Sequence, residues 1–260
     1  MNPLFVHHQQ LPSTNDFALQ WLKSAHSGET MVVTTDHQFE GKGQRNRAWD
    51  QQPNLDLAWT LAHKRVTSLL GDVHTSAPFA FNKSIALRAC EVVESILPMH
   101  VEVGIKWPND IMLRSNATHD AWQKCAGLLI ENTWRGSHWE GVALGIGMNV
   151  HSARLNEPGR ISLADLGLSI PNLRTISERL FAAISPVLMA IEPVLADELA
   201  YQQRLIGKNS WETYTLSGVT GKGQILEVDD LGRLWMNWEH TADSLMVQDS
   251  SELTWDWLNR

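Results

Sequence analysis

Apolar residues recur at helical spacing directly after Ser13-Thr14-Asn15. Phe17, Ala18, Trp21, Leu22 and Ala25 form the stripe, and Gly28 stands just past the expected end. Residues 30–35 (TMVVTT) are short, β-branched and apolar, which predicts a buried strand. Residues 36–54 are polar without any period and read as a long loop, a place where compact domains keep function. A strand is predicted over 54–62, and an amphipathic helix over 78–97, ended by Pro98. Four strands follow, over 101–107, 110–114, 125–134 and 139–150. Pro108-Asn109 makes a tight turn between the first two, and the last two are expected to be antiparallel neighbours. Residues 175–206 are helical by period, with Pro186 and Pro193 breaking or kinking the helix, and 207–210 read as a linker. From about Trp211, short alternating strands with turns at 220–223 and 229–232 predict a small β-barrel.

Composition narrows the class. The chain has 260 residues, 43% of them apolar and 19% charged, with a net charge of −8, which excludes collagen-like, coiled-coil and disordered chains. No apolar run approaches the roughly 20 residues of a membrane span. The start, MNPLFVHHQQ, lacks the basic and long apolar stretches of a secretory signal. Cys90 and Cys125 are far apart and in no CxxC, so both are expected to be buried or neutral thiols in a reducing cytoplasm. The acidic balance argues against a general nucleic-acid binder. The 11 His show no HExxH and no ligand spacing, which leaves metal binding through His without support. His7-His8 reads as a surface pair, and Asn116-Ala117-Thr118 as a turn.

Four stretches carry candidate chemistry. In Glu40-Gly41-Lys42-Gly43-Gln44-Arg45-Asn46-Arg47-Ala48-Trp49, three cations and two Gly precede a Trp, giving a charge of +3 between Gly41 and Trp49. Cations with backbone N–H groups suit an anion, and the indole suits an aromatic base. The stretch is neither a Walker loop nor a dinucleotide fingerprint. By charge alone it fits a solvated turn as well as a phosphate site; the Trp and the loop length favour the site. Lys106-Trp107-Pro108-Asn109-Asp110 sets a Lys, an amide and a carboxylate at a strand-turn-strand corner, fitting triphosphate with hydrated Mg²⁺ or a plain turn. Lys124 opens the predicted strand Cys125-Ala126-Gly127-Leu128-Leu129-Ile130-Glu131 and fits a solvated strand end as well as a site, and Gly145-Ile146-Gly147-Met148-Asn149 fits a strand bulge equally well.

The order and spacing of STN, Gln38 with GKGQRNRAW, KWPND, KCAGLLIE and GIGMN closely resemble the catalytic domain of biotin–protein ligases. The resemblance spans residues 13 to about 150 by motif and continues more loosely to the C-terminus, where GVTGKGQILEVDDLGRLWM looks like the family's SH3-like module. It implies an α+β fold, a mixed, largely antiparallel sheet backed by helices of the class II synthetase-like kind, over 1–207, and a small SH3-like β-barrel over 208–260. It also implies ATP-dependent formation of biotinyl-5′-AMP and transfer to a lysine of a biotin carboxyl carrier protein, such as that of acetyl-CoA carboxylase. ATP, Mg²⁺ and biotin are the expected small molecules; monomer and homodimer both stay open.

The resemblance carries roles onto individual residues. Ser13, Thr14, Asn15 and Gln38 are expected to bind biotin, with Ser13, Thr14 and Gln38 on its ureido group, to which hydroxyls and an amide are suited. Lys42 and Gln44 are expected to close over biotin and the acyl phosphate. Arg47 and Trp49 are expected to bear on the nucleotide, with Lys106, Asn109 and Asp110 on the triphosphate and Mg²⁺ side. Lys124 is expected between carboxylate and α-phosphate, where a cation offsets repulsion between anions. Gly127, Leu129, Gly145 and Gly147 are expected to wall the biotin slot, and Asn149 to touch ATP. Lys124, Arg47 and Lys42 are the expected catalytic cations. The chain departs from the pattern at Lys42 and Gln44, where many members carry Arg, and at Asn46, where many carry Gly. Lys keeps the charge without the planar fork, Gln44 removes one charge, and Asn takes positive φ less freely than Gly. Lipoate–protein ligases share the acyl-adenylate logic, but their RRxSGG-type loop is absent here. A biotin-responsive binding protein without catalysis is the other alternative. A repressor with an N-terminal helix-turn-helix is not expected, since 12 residues precede Ser13.

Overall fold

The computed structural model describes residues 2–65, 78–115, 119–136, 138–154, 157–166, 169–189 and 195–259. The expected turn at 116–118 and the expected break at Pro193 lie outside them. The chain resolves into two compact units, one of Met1–Gly71, Cys125–Asn156 and Ile161–Ile191, the other of Asp72–Lys124, Glu157–Arg160 and Glu192–Arg260.

The first unit is built on a mixed sheet. Strand β1 (Leu4–Leu11) runs parallel to β2 (Thr30–Gln38), and β2 is antiparallel to β3 (Leu57–Lys64). Beyond β3 lies β7 (His138–Met148), and beyond that β6 (His119–Arg135), both pairings antiparallel. Sequence patterning missed β1, because an outer strand reading LFVHHQQL buries no residue fully and so shows no apolar face. It also starts β6 too late. The strand begins at His119, so Lys124 stands inside it and not at its opening. Gln123 and Cys125 are buried while Trp122 and Lys124 alternate with them half-buried, so the polar stretch imitates a loop.

Helix α1 (Thr14–Leu22) starts at Ser13, whose extended backbone lets its hydroxyl accept the Asp16 N–H. Asp16 in the first turn further suits the positive end of the helix. The helix is shorter than its apolar stripe, for Ala25 already lies beyond it and Gly28 takes φ +85°. Ala18 and Leu22 pack with Met31, Val33, Ala62 and Ala143 on one sheet face. Helix α3 (Leu173–Met189) packs against β3 and buries Ile176, Leu180 and Ile184; Pro186 sits within it without ending it.

The second unit holds the hairpin of β4 (Glu102–Lys106) and β5 (Asp110–Ser115), helix α2 (Pro78–Glu94) and helix α4 (Leu195–Arg204). Ion pairs Lys83–Glu198, Arg88–Asp197 and Arg204–Glu94 join the two helices. The Cys90 thiol is pushed up to about 12, first by burial, and stays neutral as expected. The C-terminal strands are β8 (Glu212–Leu216), β9 (Val219–Val228), β10 (Leu234–Trp238), β11 (Leu245–Val247) and β12 (Leu253–Thr254). They form one sheet in the order β11-β10-β9-β8-β12, consistent with an SH3-like module but with no closed barrel, its end strands being only three and two residues long. Tyr214 meets Trp255 and Trp257 edge-on, so two of the C-terminal Trp serve packing.

The turn at 229–232 is pinned by one carboxylate. Burial alone would raise the Asp229 pKa, but it accepts from Trp235 Nε1, from the backbone N–H groups of Arg233 and Leu231, and from Arg233 Nε, and it falls to about 2. A carboxyl held below its unfolded value of 3.8 adds stability above that pH, and loses it as the pH drops through the folded value. Between pH 4 and 2 this one group is expected to cost about 1–2 kcal/mol, a loss absent from Asp229→Asn in urea melts across that range.

Candidate active site

On the face of the first sheet that carries α1, register aligns residues across strands. Thr60 of β3, Gly145 of β7 and Leu129 of β6 make one row; Ala58, Gly147 and Gly127 make the next. These small residues leave a bay beyond the helix N-terminus, and two side chains of the same unit use the room. An added Cβ on Gly145 would overlap Asn15, and one on Gly147 would overlap the Trp49 indole. The glycines expected to wall a slot therefore first make room for Asn15 and Trp49. Gly145 and Gly147 lie in regular pairing, not in a bulge.

The first turn of α1 forms a polar wall. Gln38 Oε1 accepts from Thr14 N at 2.8 Å and Thr14 Oγ1 at 3.0 Å. Thr60 Oγ1 donates to Asn15 Oδ1 at 2.7 Å and lies 2.8 Å from Thr14 Oγ1. Asn15 Nδ2 donates to Glu131 Oε2 at 2.8 Å and to the Leu129 carbonyl. Ser13, Thr14, Asn15 and Gln38 are all buried, so neutral donors and acceptors converge in a water-poor corner.

The basic loop folds back on itself. Trp49 N donates to Gly41 O, Gly43 N donates to Arg47 O, and Lys42 bridges to Ala48. Gly41 is required by proximity, because a Cβ there would press on Trp49 O and Gln38 Nε2 at 2.5 and 2.6 Å. A 3₁₀ turn, Gln44–Asn46, makes the tip, and the left-handed residue is Arg45 at φ +57° and not Asn46. For a non-glycine residue that conformation costs roughly 1–2 kcal/mol. Arg45 and Arg47 are exposed, and Lys42 Nζ sits 2.7 Å from Asp16 Oδ2. That hydrogen bond, then the Asp16 charge, raises the Lys42 pKa, so the cation stays fully charged.

Below the loop lies a buried ion pair. Arg154 and Asp56 are both fully buried, 2.8 Å apart. Asp56 also accepts from Val150 N, Ser152 Oγ and Gln52 N, while Arg154 reaches the carboxylate and carbonyl of Asp50, next to Trp49. Asn149, expected at the nucleotide, is buried; its Nδ2 donates to the Ile161 carbonyl and its N–H to the Cys125 carbonyl.

In the second unit the β4–β5 corner is as tight as expected, with Lys106 opposite Asp110 in register and the Trp107–Pro108 peptide cis. Lys124 Nζ lies 2.6 Å from Asp110 Oδ1, both side chains partly exposed. Lys124 N donates to the Gly159 carbonyl, which fixes its backbone. Lys106 Nζ lies 5.6 Å from the centroid of the Trp255 ring, and Trp107 Nε1 donates to the Gly232 carbonyl at 2.9 Å. Among the described residues no three His, Cys, Asp or Glu side chains gather as a metal site.

Thus Ser13, Thr14, Asn15, Gln38, Lys42, Gln44, Arg47, Trp49, Gly127, Leu129, Gly145, Gly147 and Asn149 belong to the first unit, and Lys106, Asn109, Asp110 and Lys124 to the second. Sequence reasoning missed Thr60, Glu131 and Asp16 as partners of the site, and the Arg154–Asp56 anchor. Thr60 was findable: it alternates with Ala58 and Ala62 on the small-residue face of β3, a lone hydroxyl among alanines.

The sequence model of the Biotin/lipoate A/B protein ligase family matches residues 7–149, more than half of the chain. The chain is similar to a biotin–[acetyl-CoA-carboxylase] ligase of Mycobacterium tuberculosis, 26% identical over 88% of this chain and 81% of that one. It is also similar to one from Paracoccus denitrificans, 33% identical over 54% of this chain and about half (52%) of the relative. The fold matches a biotin protein ligase from Aquifex aeolicus solved with biotin and ATP, at a TM-score of 0.67 and 15% identity, covering 95% of this chain and 99% of the other.

Proposed function

We propose that this chain, which belongs to the biotin/lipoate A/B protein ligase family, is an ATP-dependent biotin–protein ligase. It activates biotin as biotinyl-5′-AMP and transfers the biotinyl group to a lysine of a biotin carboxyl carrier protein. The observation that carries the reading is the neutral polar wall of Thr14 and Gln38 beside a floor of Ala58, Gly147 and Gly127. Such a wall suits a neutral urea with donors and acceptors, and such a floor, carrying the Trp49 indole over Gly147, suits a flat ring set beside an aromatic face.

In the first step a biotin carboxylate oxygen attacks the α-phosphorus of ATP, the α–β phosphoanhydride bond breaks, and pyrophosphate leaves. In the second, a carrier lysine amine attacks the acyl carbon, the bond to the phosphate oxygen breaks, AMP leaves, and the amine gives up a proton. Ser13, Thr14, Asn15 and Gln38 bind biotin between the walls Gly127, Leu129, Gly145 and Gly147. Lys42 and Gln44 cover it, with Lys42 exchanging Asp16 for the substrate's anionic end. Arg47, Trp49 and Asn149 bear on the nucleotide, and Lys106 and Asn109 on its phosphates. Lys124 stabilises the charge developing as two anions meet. Mg²⁺ fits as an ion carried in on the triphosphate and held by Asp110, because Mg²⁺ commonly takes one or two carboxylates with substrate phosphates. We assign residues 1–207 to the catalytic domain and 208–260 to the SH3-like domain, in a cytoplasmic enzyme; no helix of the described residues is long and apolar enough to cross a membrane.

Incubation with ATP, Mg²⁺, biotin and a biotin carboxyl carrier domain, followed by an avidin blot, is expected to show a labelled carrier. An unlabelled carrier beside one labelled by a known ligase overturns the reading, and faster attachment of lipoate would replace it with lipoate ligation. Within the site, Gly145→Ala forces Asn15 off its three partners, Thr60, Leu129 and Glu131. The KM for biotin is expected to rise about tenfold, a loss of roughly 1.4 kcal/mol, with the KM for ATP unchanged in pyrophosphate-exchange assays.

A further inference from the structure

Trp255 follows the last C-terminal strand and is buried, its ring set edge-on to Tyr214 at 5.3 Å and tilted against Trp257 at 6.2 Å. An indole fixed on two sides presents its remaining face in one place. The Lys106 ammonium lies over that ring, 5.6 Å from its centroid, within the range of cation–π attraction. The next residue, Trp107, is gripped at its indole N–H by the Gly232 carbonyl, and Gly232 takes φ +81° with Phe79 against its α-carbon. Two consecutive residues of the β4–β5 corner are therefore held by residues of the C-terminal segment.

We infer that Trp255 is a positioning residue for ATP, presetting the Lys106 ammonium for the triphosphate; this rests on the ligase reading above, in which Lys106 meets the phosphates. The chemistry of the contact favours such a role. A free lysine carries about 2 kcal/mol of rotamer entropy that binding must remove. The Trp255 face narrows that freedom by holding the ammonium near one place, and the ring adds no negative charge of its own there.

The test is biotin-dependent exchange of labelled pyrophosphate into ATP by the full chain and by Trp255→Leu, Trp255→Phe, Lys106→Met and the Lys106→Met/Trp255→Leu double variant. Trp255→Leu keeps apolar bulk and loses the quadrupole. It is expected to raise the KM for ATP about fivefold, with the KM for biotin and kcat within about twofold, and Trp255→Phe to recover most of the loss. In the Lys106→Met background Trp255→Leu should have no further effect, since the charge it orients is gone. Equal effects in both backgrounds, or an unchanged KM for ATP, overturn the inference and leave a merely structural Trp. Should Trp255→Leu melt below the assay temperature, Trp255→Phe carries the same two-background comparison, with a rise of about twofold expected. A wild-type chain without biotin-dependent exchange overturns the ligase reading itself, a result distinct from a silent variant of an active enzyme.

Discussion

Lys124→Ala is expected to slow biotin adenylation about a hundredfold while leaving the protein folded, a loss of roughly 3 kcal/mol of transition-state stabilisation. Two anions, a carboxylate and an α-phosphate, must approach for the first bond to form, and a cation beside them is worth most in a partly desolvated place. Lys124 is partly buried and carries its ammonium 2.6 Å from Asp110. Its backbone is fixed by strand pairing and by the Gly159 carbonyl, so truncating the side chain leaves the strand intact. Removal also leaves Asp110 without this cation, which adds repulsion toward a triphosphate. Lys124→Arg, which keeps the charge on a longer and planar head, should fall between the two. Single-turnover release of pyrophosphate measures the step, and near-normal release from Lys124→Ala would contradict the role.

Asp56→Ala is expected to cost about 3–5 kcal/mol of stability, because it strands a fully buried guanidinium. Asp56 satisfies four donors, among them Arg154, Val150 N and Gln52 N, and it is fully buried, so their loss is not made good by bulk solvent. For a chain of this size the midpoint of thermal unfolding should fall by roughly 10 °C. Because Arg154 also holds Asp50, the damage should reach the loop that ends at Trp49. A melt within 2 °C or so of wild type would mean that the pair is not load-carrying in the folded state. A double replacement of Asp56 and Arg154 by apolar residues of similar volume should recover much of the loss, as buried ion pairs replaced together often do.

Most of the fold could be read from the sequence wherever one periodicity held over a whole element. The helix from Pro78 and strands β2, β5 and β7 follow from apolar spacing and from the glycine and proline residues beside them. The failures have a common cause. β1 buries no residue fully, and in β6 Ala121, Trp122 and Lys124 are only half-buried, so neither carries a continuous apolar run to announce it. The strands of the SH3-like module followed from turn spacing, but barrel closure did not, because closure depends on strand tilt and register stagger, which turn spacing does not contain. For the site, motif order marked Thr14, Gln38, Gly145, Gly147 and Asp110, because each stands in a short fixed pattern. It was silent on Asp56 and Arg154, nearly a hundred residues apart, and on Glu131, since ion pairs and hydrogen bonds across strands depend on register that spacing along the chain does not contain.

The grip on Trp107 has a consequence for synthesis. Its indole N–H waits for the carbonyl of Gly232, 125 residues later. At about 5–20 residues per second the ribosome takes roughly 6 to 25 seconds to supply that partner. During that interval the β4–β5 corner exists as a hairpin whose large apolar Trp is not yet covered from Gly232. The vulnerable moment for this chain therefore falls before its last strands emerge, and slow translation between the two tryptophan-bearing stretches should tax its yield more than slow translation near the start.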